Sequence, residues 1–111
     1  MTLTELMNKC HNDAKSLGWY DEGKVKSDVE NIMLTVTELS EAVEELRCPV
    51  VRNLYFNEGS AKPEGYGVEL ADAIIRLLDL CAYRQIDIES LINRKLEYNL
   101  TRGYRHGGKK Y

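Results

Sequence analysis

The chain is 111 residues long, 43% apolar and 30% charged, with a net charge of −3. That length argues for one domain with a modest core, and that balance excludes a chain built as a whole to bind nucleic acid. No stretch is apolar enough to cross a membrane, and MTLTELMNKC lacks the pattern of a signal peptide, so the expected location is cytoplasmic.

Thr2 or Thr4 is placed to cap a first helix, with Glu5 in its opening turn. Leu3, Leu6, Met7, Cys10, Ala14 and Leu17 follow at helical spacing, and Gly18 ends the run. The connector GWYDEGKVKSD leads to Ser27 or Asp28, either of which caps a second helix over about Asp28 to Leu46. Its apolar face is Val29, Ile32, Met33, Val36, Leu39, Val43 and Leu46, and Pro49 stops it at or before Cys48. In PVVRNLYFNEGSAKPEGYG an apolar first part (Val50, Val51, Leu54, Tyr55, Phe56) gives way to turn-rich Gly59, Pro63, Gly65 and Gly67. A connection of this length in a helical domain is often functional.

A third helix is expected from about Gly67 to Tyr83, and Asp87 caps a fourth carrying Ile88, Leu91, Ile92, Leu96 and Leu100 to near Gly103. Residues 103–111 read as a flexible basic tail. From Asn93 to Tyr111 six Lys or Arg stand against one acid, a charge of +5, which leaves −8 on the remainder. An acidic body with a basic end suits holding cations in one place and anions in another. Cys10, Cys48 and Cys81 form no CxxC pair; they read as small hydrophobes of a reduced chain. Four helices with no convincing strand pair predict an all-α, four-helix bundle-like domain spanning 1–111.

The third helix is apolar on most of its circumference, yet Glu69, Asp72, Arg76 and Asp79 step by three, four and three along one stripe. The second helix carries a matching stripe, Glu38, Glu41 and Glu45. Like charges at this spacing cost a few tenths of a kcal/mol per pair, roughly, on an isolated helix, and more where two stripes face each other in a lower dielectric. A divalent cation between them is the economical answer. His11 and His106 fall at neither motif, so all-oxygen ligation points to Mg²⁺, with Mn²⁺ as substitute. The alternative is a solvated face whose acids pair with Lys and Arg. Arg76 and Asp79 are expected to pair with each other and orient the acid-bearing helix.

ELSE in the second helix and ELAD in the third resemble the E-x-x-E and E-x-x-D signature of the MazG-like, all-α nucleoside triphosphate pyrophosphohydrolases. The longer KPEGYGVELADAIIRLLDL and the ending KLEYNLTRGYRHGGK are similar to a compact branch of that family. The resemblance implies that Glu38, Glu41, Glu69 and Asp72 ligate metal, with Glu38 or Glu41 as general base. It implies that Lys95, Asn99 and Arg102 lie near the triphosphate and Trp19 near the base. It further implies homodimers or homotetramers with sites near subunit contacts. One departure is Thr37, where several members carry an additional Glu; Glu45 is a candidate supplementary acid.

The reaction implied is Mg²⁺-dependent hydrolysis of a nucleoside or deoxynucleoside triphosphate to monophosphate and pyrophosphate, by attack of water on the α-phosphorus. Lys95 and Arg102 suit phosphate binding. Trp19 and Tyr20 suit base stacking, with core or interface packing as the competing role. The rival readings are a helical interaction module with incidental acids, a superfamily relative acting on dUTP or phosphoribosyl-ATP, and, ranked last, a nucleic-acid binder using the basic tail.

Overall fold

Each helix begins where the sequence offers a way to satisfy its first backbone donors. The computed structural model describes residues 1–104 and 110. Helix α1, Leu3–Ser16, opens on a reciprocal cap in which Thr2 accepts from the Glu5 amide and Glu5 accepts from the Thr2 amide. Helix α2, Asp28–Leu46, repeats the device with Ser27 and Glu30. Helix α4, Ile88–Thr101, starts under Asp87, whose Oδ1 accepts from the Ser90 amide. All three starts agree with the sequence reading, as does the end of α2 ahead of Pro49.

Helix α3, Tyr66–Tyr83, has no side-chain cap. The long connection takes that role. The Tyr66 amide donates to the Arg52 carbonyl at 2.8 Å and the Val68 amide to the Asn53 carbonyl at 3.1 Å, so two otherwise orphaned helix donors are held by loop backbone. The connection is folded on itself by an isolated antiparallel bridge between Tyr55 and Glu64. Gly65 sits in the tightest place. Its φ is +129°, and a Cβ there would lie 2.6 Å from the carbonyl carbon and oxygen of Asn53. Gly65→Ala is therefore expected to destabilise the protein by about 3 kcal/mol. Gly59→Ala, at φ +75° with open space around it, is expected to cost about 1 kcal/mol. Urea unfolding of the two variants checks the difference.

Helices α2 and α3 are antiparallel neighbours, tied at one end by Arg84 Nε to Asp28 Oδ1 at 2.8 Å. At their crossing Ala42 and Ala73 are 3% and 4% exposed. Small side chains there let the two backbones approach closely, and each Ala stands beside site acids, Ala42 next to Glu41 and Ala73 next to Asp72. Helix α1 lies on the other part of α3, while α4 meets α1 only slightly. The link between α1 and α4 is polar: Glu89 accepts from the Leu3 amide and the Thr4 hydroxyl.

The architecture is all-α, with four helices and no strand among the described residues. The apolar face read for α2 is not the face that packs on α3. Its seven residues are between 44% and 71% exposed, because α2 presents Thr35, Glu38 and Ala42 to α3 instead. Helix α3, apolar on most of its circumference, leaves Ile74, Ile75 and Leu77 open, and α4 leaves Leu91, Ile92, Leu96 and Leu100 open. The radius of gyration is 17.0 Å, against roughly 13 Å for a compact chain of about this length. The expectation of a flexible tail falls mainly on residues 105–109 and 111, outside the described residues.

Candidate metal centre and adjoining cavity

The close α2–α3 crossing turns two sequence stripes into one cluster. Glu38, Glu41 and Glu69 each offer a carboxylate oxygen within 4.8 Å of the others. Opposite oxygens around one Mg²⁺ or Ca²⁺ stand roughly 4–5 Å apart, so the three acids match the span of a single hard cation. Glu69 carries the strain of this crowding. Burial, and then the close Glu41 carboxylate, push its carboxyl up to about 7. Its Oε2 is buried and has no hydrogen-bond partner. An unpartnered acid oxygen on a side chain clustered with two other carboxylates is the kind of group a bound cation would satisfy.

Asp72 lies one turn further along α3, outside that set of three. Its carboxyl is raised by burial and then by Glu38, against the lowering influence of Arg76 and Lys62. Asp72 and Glu38 both border a cavity of about 710 Å³ between α1, α2 and α3. The cavity walls are partly apolar, with Leu34 and Ile75 among them, and Trp19 also lines it. Trp19 is more than half exposed, with Lys26 Nζ 4.4 Å from its ring centre. The sequence-named Trp19 thus shares a cavity with two of the four sequence-named acids.

The contacts correct the expected Arg76–Asp79 pair and show what Glu45 and Thr37 bond to. Arg76 does not pair with Asp79; its Nε donates to Glu38 Oε1 at 2.9 Å, across to the other helix. Both Asp79 oxygens are taken from elsewhere, Oδ1 by His11 Nδ1 at 2.8 Å and Oδ2 by the Tyr20 hydroxyl at 2.8 Å. Glu45, read as a supplementary acid, accepts from the Tyr55 hydroxyl at 2.8 Å and fastens the long connection to α2. Thr37, at the position of the departure, donates its hydroxyl to the Met33 carbonyl within α2.

Lys95, Asn99 and Arg102 share one side of α4, but none of them borders the cavity next to the acids. Lys95 and Arg102 both stand over the Tyr98 ring, and Asn99 Oδ1 is buried without a partner. Within one chain, α4 therefore does not deliver these residues to that cavity.

Two contributions were not visible from the motifs. The first is the His11–Asp79–Tyr20 cluster, extended by Tyr20 against Tyr83 at 4.9 Å between ring centres. Burial and then the bond to Asp79 hold the Tyr20 phenol well above its usual range. The cluster anchors the Trp19-bearing turn to α3. Its sequence signal was the last acid of the α3 stripe, which needed a partner. The second is Lys62 of the KPEG turn, close enough to Asp72 to oppose, slightly, the rise that burial and Glu38 impose on its carboxyl.

Compared with known proteins, the chain matches no family model, no curated protein sequence and no solved structure. None of the helices among the described residues is long and apolar enough to cross a membrane.

Proposed function

We propose that the protein is a divalent-metal-dependent nucleoside triphosphate pyrophosphohydrolase of the MazG-like kind, releasing pyrophosphate and a nucleoside monophosphate. The observation that carries this reading is the convergence of Glu38, Glu41 and Glu69, with a buried Glu69 oxygen that has no hydrogen-bond partner. The donor set fits Mg²⁺, with Mn²⁺ as a substitute, since hard cations take carboxylate oxygen and keep positions for phosphate and water. Glu38, Glu41 and Glu69 would hold the ion, with Asp72 on its cavity side. When bound, it would supply charge neutralisation for the pyrophosphate leaving group.

Glu41 is our choice for the general base. Glu38 already spends one oxygen on Arg76, and Glu69 holds its proton to about pH 7. Glu41 would accept the proton of the attacking water as oxygen bonds to the α-phosphorus and the α–β bridging bond breaks. Trp19 would stack on the base in the cavity once Lys26 yields that face or the opposite one is used.

The second part of the proposal is a homo-oligomer. The exposed apolar faces of α2, α3 and α4 and the large radius of gyration describe a chain whose main apolar surfaces lack cover. In a dimer or tetramer α4 would reach the acid site of a neighbouring copy and bring Lys95, Asn99 and Arg102 to the β- and γ-phosphates. Light scattering on the purified protein is expected to give the mass of two or four chains.

The test of activity is pyrophosphate release from a panel of ribo- and deoxyribonucleoside triphosphates, dUTP included, and from phosphoribosyl-ATP, with Mg²⁺ and with EDTA. Mg²⁺-dependent release from at least one triphosphate supports the reading. No release by folded protein from any of them would favour the interaction module instead.

A further inference from the structure

A cation stands on the wall between the acid cluster and the cavity, and the reading above gives it no task. The Arg76 side chain is 40% exposed and that of Glu38 14%, so the pair spans the boundary from covered acid to open cavity. A guanidinium has five donors in one plane. In this pair Nε makes the bond to Glu38 Oε1, and Arg76 also lines the cavity with Trp19, Leu34, Asp72 and Ile75. The other cations around the cavity are occupied differently, Lys9 by Asp13 at 3.0 Å and Lys26 by the Trp19 ring. Asp79, its neighbour on the same stripe, is already saturated by His11 and Tyr20.

We propose that Arg76 is a bridging substrate residue: Nε fixes Glu38 by one oxygen, leaving the other for a cation, while the terminal guanidinium nitrogens bind a phosphate oxygen of a nucleotide in the cavity. This rests on the function proposed above and adds a residue to it. The chemistry asks for Arg specifically. Its planar fork holds two anions at once, whereas a Lys ammonium is a point charge that serves one. Carboxylates that ligate a metal are commonly fixed by such an outer hydrogen bond, and losing it typically weakens the metal by about 10–100-fold. Arg76 would therefore couple the two ligands, with each bound more weakly when the guanidinium is lost.

The experiment measures two bindings on the full chain, without turnover. Mn²⁺ affinity is read by electron paramagnetic resonance, and affinity for an α,β-imido nucleoside triphosphate by calorimetry in Mg²⁺. The proteins are the parent, Arg76→Gln, Arg76→Lys and Glu41→Gln, each checked for helix content. Arg76→Gln is expected to weaken Mn²⁺ about 10-fold and the analogue by about 10-fold or more. Arg76→Lys is expected to recover Mn²⁺ binding without recovering the analogue. If Arg76→Gln binds both within twofold of the parent while Glu41→Gln loses Mn²⁺, the bridge is wrong and the acid site stands. Full recovery of both ligands by Arg76→Lys also overturns the bridge. If the parent takes up no Mn²⁺, or Glu41→Gln binds it like the parent, the acid-site reading itself fails and Arg76 falls with it.

Discussion

Replacing Glu41 by Gln is expected to lower kcat for Mg²⁺-dependent pyrophosphate release by about 100-fold or more, with helix content unchanged. Two losses combine. The amide cannot take a proton from water, and its neutral oxygen is a poorer ligand for a hard cation. Folding should tolerate the change, because Glu41 is exposed on α2 and the substitution leaves the covered Ala42 beside it alone. Removing Glu41 also relieves part of the repulsion on Glu69. A stable but inactive variant is therefore the expected outcome, and steady-state kinetics beside thermal unfolding checks both halves. An active Glu41→Gln would remove Glu41 from the chemistry.

The second large effect concerns pH and stability. The Glu69 carboxyl in the folded chain titrates near 7, against an ordinary 4.5. Between those values the folded state binds a proton that the unfolded state has already released, so stability falls as pH rises from about 4.5 to 7 and stays low above it. Glu69 is part-exposed, which reduces the full linkage energy to about 1–2 kcal/mol after solvent screening. Without metal, melting at pH 8 should lie about 5 °C or more below melting at pH 5 from this group alone. A divalent cation takes over the proton's role. Mg²⁺ should accordingly raise the melting temperature at pH 8 and do little at pH 5. Glu69→Gln should flatten the pH dependence and raise the melting temperature at pH 8 in EDTA. A Glu69→Gln protein that melts with the parent's pH slope would show that Glu69 is not the crowded acid.

The helices were legible because their determinants are local. The Ser27–Glu30 cap and Pro49 bracket α2 within a single stretch of sequence, and Asp87 does the same for the start of α4. The convergence of ELSE and ELAD was legible too, since two acid stripes on consecutive helices have few ways to coexist. What the sequence did not disclose is helix rotation. Periodicity identified the Val29–Leu46 stripe of α2 as its most apolar face, yet the covered positions of that helix are Thr35 and Ala42 and the stripe lies exposed. Rotation also decided the ion pairs. Arg76 and Asp79, three apart on one helix, looked like partners, but cross-helix Glu38 and the His11–Tyr20 pair from α1 and its turn lie nearer. The use of Glu45 to fasten Tyr55 depends on how the long connection folds back, which no spacing encodes. Helix α4 packs only slightly on α1, and its spacing did not encode where its basic side would lie.

The most direct test of the central claim follows the fate of oxygen during hydrolysis. The protein would be incubated with Mg²⁺ and a nucleoside triphosphate in ¹⁸O-water, and the products resolved by ³¹P NMR and mass spectrometry. One ¹⁸O is expected in the nucleoside monophosphate and none in the pyrophosphate, with the reaction stopped by EDTA. Diphosphate and orthophosphate as products, label in the pyrophosphate, or turnover that ignores EDTA would contradict the claim.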